Sequence, residues 1–270
     1  MYRKNHTKHE APHETTDEHG KKIRNPNKIT VDQHVTARKH LAEWAGSGGR
    51  ISIIDIETGK SIQPRPDDAF VVSRLWDQPM EAGTVKSTED KYQEEIAAFR
   101  ASNKISRHQL ITEYFVMLGA RACCAAMPRP DHKSTMHSPN LTPTKEELEL
   151  DELAQVNDSV RFIRGFNGQS NSRLVVSMTM NSIFLRYRTD LKDRQWIPFE
   201  SLGEKFILPD SLWFLLQHDF LLLPVSPDMI LIESRIYEQL SDRGLLNAEA
   251  LNTFLKQSVR QHFVEAPKEP

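Results

Sequence analysis

Hydrophobic and polar positions divide the chain into segments of different character. The first 29 residues are polar, with His6, His9, His13 and His19 scattered among charges. Nothing there can bury a face, so residues 1–29 are expected to form a disordered tail, solvated or loosely metal-binding through its histidines. Over residues 30–45, Val31, Val35, Leu41, Trp44 and Ala45 fall roughly on one helical stripe, and Thr30 can cap the start. "GSGGR" breaks that pattern, "ISIIDI" reads as a strand, "ETGK" as a turn and "SIQPRP" as an irregular return. Residues 70–76 suit a short strand or a buried turn.

The middle of the chain is helical in period. Residues 87–101 carry acidic groups in their first turn, as the helix dipole favours. A second helix is expected over residues 106–127, where "SRHQ" has capping-box spacing. "MPRPDHKSTMHSPNLTP" is a loop, and "TKEE" from Thr144 starts a helix that can run to about Phe166. "GFNGQSNS" is a further break, and "RLVVSMTMNSIFLRYR" suits a buried helix or a strand equally well. The last third changes to short apolar runs between turns: "RQWIPFES", "EKFILPDS", "FLLLPVSP" and "MILIES". A closing helix over residues 247–263 places Ala248, Leu251, Leu255, Val259 and Phe263 on one face. The expected fold is α+β, with a helical middle and a small, mostly antiparallel sheet from short strands in the N-terminal and C-terminal thirds. Residues 30–264 form its single domain and 265–270 a short tail.

Composition narrows the class. Charged residues at 27% and hydrophobic ones at 38% suit a soluble domain, and a net charge of −2 supplies no global basic field. The two cysteines, Cys123 and Cys124, are adjacent, so a disulfide framework is not expected and a reducing, cytoplasmic setting fits. The N-terminus lacks the apolar core of a secretory signal. The longest apolar stretch, residues 105–127, carries Arg107, His108, Glu113 and Arg121, which favours a buried helix over a membrane span.

Several pieces, in order, resemble one family. "QHVTARKHLAEWA" followed by "RISIIDIETGK", Glu95 in "KYQEEIAAF", then "RQWIPFES", "KFILPDSLW", "LLLPVSPDMILI" and "LNTFLKQSV" are similar to the motifs of the mostly bacterial domain-of-unknown-function family 4238. The likeness spans most of residues 31–264. Gln33 stands where that family has its first His, Ala37 near its Pro, and Pro209 at the Ser of its Ser-Asp pair. The resemblance implies no established activity. It suggests a loose association with mobile-element cargo and phage-defence loci.

Candidate chemistry centres on four residues. On a helix, His34 and Arg38 share a face, and an imidazole beside a guanidinium can bind phosphate, with His34 as acid or base. Alternatively, Arg38 pairs with a carboxylate and His34 with a carbonyl; His40 lies on another side. Asp210 follows a strand and, with Glu95, can make a two-carboxylate site for a divalent metal, completed by His34. Its alternative role is to form a turn and cap "SLWFLL". Ser226 lies in a proline-fixed turn without a G-x-S-x-G elbow. Cys123, Cys124, His132 and His137 lack usual zinc spacing, which favours helix packing for the cysteines and loop exposure for the histidines. Arg161, Arg164, Arg173, Arg186, Arg188 and Lys192 make a basic stretch, either a solvated face or a contact for a nucleic-acid backbone.

Two functions stay open. One is an enzyme acting on nucleic acid or nucleotide phosphates, nuclease-like, with His34 as base or ligand, Arg38 as phosphate clamp, and Glu95 and Asp210 as metal ligands. The other is a non-enzymatic protein-interaction or regulatory module, including a homo-oligomer. Convergence of His34, Arg38, Glu95 and Asp210 in one cleft is the mark of the first.

Overall fold

The computed structural model describes residues 12–127, 144–156 and 172–266. It has the expected α+β character, although the strands form four small antiparallel sheets rather than one. The chain enters as a hairpin, β1 (Glu14–Thr16) with β2 (Lys22–Arg24), where a polar tail was expected. What holds it is polar: the Glu149 carboxylate accepts from the His13 amide at 2.8 Å and from the Asn27 side chain at 3.1 Å. Residues 1–11, with His6 and His9, lie outside the described residues.

The expected helix over residues 30–45 is mostly absent. Residues Asp32–His34 form strand β3, and only Arg38–Ala42 are helical (α1). Val31, Val35, Thr30 and Thr36 are β-branched and favour extended backbone, which outweighs an apolar stripe that suits either geometry. β3 pairs antiparallel with β6 (Val71–Ser73), His34 opposite Val71. Between them run β4 (Ser52–Asp55), β5 (Ser61–Ile62) and one 3-10 turn, Pro66–Asp68.

The helical middle follows its period. A π-helical turn, Met80–Val85, leads into α2 (Lys86–Ser102), and α3 (His108–Ala126) comes next. α3 is buried nearly all round and packs against α2, α5 (Ser172–Asp190) and α6 (Trp213–Gln217). Gly119 permits the close approach to α6, since a Cβ there would lie 2.8 Å from Leu216 Cδ2. The ambiguous "RLVVSMTMNSIFLRYR" run is thus helix α5, and Cys123 and Cys124 are buried in α3 as packing residues. The "SRHQ" box does not form: Arg107 holds the cap position without a side-chain cap. The "TKEE" box does form, with Thr144 and Glu147 satisfying each other's amides ahead of α4 (Lys145–Ala154). The loop expected at 128–143, with His132 and His137, and residues 157–171, with Arg161 and Arg164, lie outside the described residues.

The C-terminal runs are strands β7 (Trp196–Glu200), β8 (Leu208–Pro209), β9 (Leu222–Ser226) and β10 (Met229–Glu233). They split between two sheets, β7-β10-β9 and β5-β4-β11-β8. α7 (Ser234–Asp242) follows β10. α8 (Ala248–Ser258), capped by Asn247, ends before Phe263. Residues His262–Glu265 instead form β11, which joins the N-terminal β4 to β8. No described helix is long and apolar enough to cross a membrane.

Candidate functional site

The four nominated residues have separate employments. Glu95 Oε1 accepts from the Ser106 amide at 2.7 Å and the Arg107 amide at 3.0 Å, and Oε2 from Arg107 Nε at 2.7 Å. Burial opposes the charge of this carboxylate, but the Arg107 side chain and the two amides more than offset it, so its pKa is lowered. Glu95 therefore does what a capping box would have done at the start of α3. Asp210 accepts from three consecutive amides, Arg260, Gln261 and His262, at 2.8, 3.1 and 3.1 Å, and so fixes the turn into β11. Burial raises its pKa against those three donors. Carboxylates committed to backbone amides do not suit a metal-ligand pair, and no three His, Cys, Asp or Glu side chains are grouped for a metal among the described residues.

His34 and Arg38 lie against the same turn, though neither on one helix face nor with a bond between them among those observed. Both attach to the Pro66–Asp68 turn. Arg38, 61% exposed, pairs with Asp67 at 2.9 Å, and the His34 ring lies at the Pro66 and Asp67 backbone. Arg38 is thus a surface ion pair of small energetic weight. His40 is a core residue, its Nδ1 2.9 Å from the Tyr114 hydroxyl and its Nε2 2.6 Å from the Pro224 carbonyl.

His34 instead belongs to a cluster that includes Arg121, Glu89 and Glu81. Arg121 rises from the C-terminal half of α3, only 1% exposed, with its guanidinium carbon 5.9 Å from the centre of the Trp76 ring. Its Nη2 donates to Glu89 Oε1 at 2.6 Å; Nε and Nη1 are buried and have no hydrogen-bond partner among the described residues. His34 Nε2 is likewise buried and has no hydrogen-bond partner among the described residues. The Trp76 indole donates to Glu81 Oε2 at 2.5 Å. Gln33 places that indole: its side chain donates to the Trp76 carbonyl at 2.9 Å and accepts from the Trp76 amide at 3.1 Å.

A buried donor without a partner costs about 1–3 kcal/mol. Two such side chains close enough to feel each other's charge are a costly arrangement for packing alone. Other signs of strain surround them. Phe70 and Arg74, which bracket β6, have left-handed backbone at φ 49° and 42°. The Glu81 turn is π-helical, a form found often at functional sites. Burial, joined by the Arg121 charge, lowers the His34 pKa, so the ring is held neutral. Burial raises the Glu81 pKa, against the pull of Arg121 and the Trp76 indole. Arg121 stays charged, because Glu89 and Glu81 outweigh its burial. The rim reaches solvent: the Glu89 side chain is 29% exposed, and His34 and Glu81 are half-buried. Such a cluster can present unused N–H donors to an oxyanion and a neutral imidazole to a proton in transfer.

Sequence reasoning missed Arg121, Glu89 and Glu81 as site residues. Arg121 had a visible signal, a fixed charge inside the apolar C-terminal half of its helix. Glu81 and Glu89 carry no local signal, since only the packing of α2 and the π-helical turn before it brings them to Arg121. Of the basic stretch, Arg173 pairs with Glu152, Arg186 with Asp190 and Arg188 with Glu113. No protein-family model, curated protein or solved structure matches the chain.

Proposed function

We propose that the protein is an enzyme acting on a phosphate-bearing substrate, a nucleotide or nucleic acid, at the Arg121 cluster. Arg121 holds a phosphate oxygen through Nε and Nη1, and His34 Nε2 is the general base or acid. The observation that carries this reading is the pairing of unpartnered, buried donors on Arg121 with an unpartnered imidazole nitrogen nearby. Phosphate binding accounts for both, since its oxygens accept from a guanidinium and share a proton with a histidine. The resemblance to the domain-of-unknown-function family 4238 stays part of this proposal on the motifs quoted above, with Gln33 and His34 in the first of them.

The test is incubation of purified protein with nucleotides, phosphate monoesters and labelled DNA and RNA, with and without divalent metal, beside His34→Gln. Turnover that falls at least a hundredfold in the variant is the expected result. No turnover on any of these contradicts the enzyme reading.

A second reading, a protein-interaction module, rests on α5. Met178 and Leu185, two turns apart on that helix, are 47% and 48% exposed. A phosphate-silent protein whose oligomeric state changes on Met178→Glu/Leu185→Glu would favour it.

A further inference from the structure

We infer that the Arg121 cluster takes its oxyanion together with a proton, accepted by His34 or Glu81, so that occupancy of the site follows pH. The inference rests on the reading of the cluster as a phosphate site and adds its regulation.

Charge balance is the first argument. Arg121 supplies the cation, and Glu89 already answers it at 2.6 Å. An incoming anion therefore meets a guanidinium–carboxylate pair rather than a free positive charge. Further attraction has to come from groups that can change their protonation. Protonation of His34 makes both ring nitrogens N–H donors, among them Nε2, which is buried without a partner among the described residues. Protonation of Glu81 removes a negative charge and creates an O–H donor beside the guanidinium that it already influences.

Before an anion arrives the two groups differ: burial opposes a proton on His34 and favours one on Glu81. On the His34 side, the Pro66 and Asp67 backbone and Glu89 stabilise an imidazolium, while Arg121 opposes it. The Asp67 carboxylate in the same turn is engaged with Arg38. On the Glu81 side stand Arg121, Glu89 and the Trp76 indole. Tyr114, which borders the cluster through its interactions with Glu89 and Arg121, stays neutral because burial pushes its pKa well up. An anion lodged among these groups adds a negative charge, which raises the proton affinity of both His34 and Glu81. By reciprocity, each proton taken up strengthens the binding of the anion. Affinity therefore falls as pH rises.

Sulfate is a suitable probe, being tetrahedral, anionic and without a titration of its own between pH 5 and 8. Calorimetry in two buffers of different ionisation enthalpy counts the protons bound with it. The expected result is uptake approaching one proton per sulfate, with Kd rising up to about tenfold per pH unit. His34→Gln or Glu81→Gln reduces the uptake, and the double variant abolishes it. Saturable binding with no buffer dependence overturns this inference and leaves the phosphate reading intact; that measurement needs the wild-type protein only. Uptake that persists in a folded double variant also overturns it. Absence of sulfate binding across the pH range overturns the phosphate reading itself.

Discussion

His40 shows how a residue with suggestive chemistry becomes a structural one. It sits six residues from His34, yet both of its ring nitrogens are consumed, by the Tyr114 hydroxyl and the Pro224 carbonyl. Burial takes its pKa down from 6.5 to about 4. The unfolded chain therefore binds a proton in a range where the folded one does not. The contribution is fully present above pH 6.5 and is lost as pH falls toward 4, a change of about 3 kcal/mol. Denaturant unfolding at pH 7.5 and pH 4.5 should show a smaller difference in His40→Gln by roughly that amount; an equal difference would contradict it. Glu95 makes the complementary case. Glu95→Ala leaves two amides and a guanidinium without their acceptor, so stability should drop by about 2 kcal/mol while sulfate affinity stays unchanged. A loss of metal-dependent turnover without loss of stability would restore Glu95 as a ligand.

At the scale of elements, long periodic segments were legible and short ones were not. α2 and α3 matched their pattern within a residue or two because their apolar spacing has no other use. β3 was hidden because three residues carry no period, and its identity comes from pairing with β6. β11 was hidden because Val259 and Phe263 continue the stripe of α8 after the helix has ended. α4 is the element that no pattern predicts to be docked. Its two buried side chains are Glu149 and Glu152, held by Arg74 at 2.9 and 3.6 Å, and Glu152 also by Arg173. A docking surface made of ion pairs reads in sequence as a solvated face. Removing one partner of such a buried pair costs about 3–5 kcal/mol. Glu149→Ala should accordingly strip hydrogen-exchange protection from the His13 amide and from α4. Unchanged protection at both would show that apolar contacts hold them.

For the whole molecule, the α+β class was legible and the site was half so. His34 was found on the assumption of a helix that does not form, and it remains of interest because of partners on α2 and α3 that sequence does not place beside it. Glu95 and Asp210, legible as carboxylates at useful places, are consumed by backbone amides on two separate turns. On the proposed reading, the chemistry shifts from a metal held by carboxylates to an oxyanion at Arg121. The most direct measurement is the Arg121 side-chain Nε–H signal in a nitrogen–proton NMR spectrum during a sulfate titration at pH 6. The account predicts a saturable shift of that buried signal, weakened in His34→Gln. A signal that stays fixed while sulfate rises to tens of millimolar, on the order of a weak-site Kd, would contradict it.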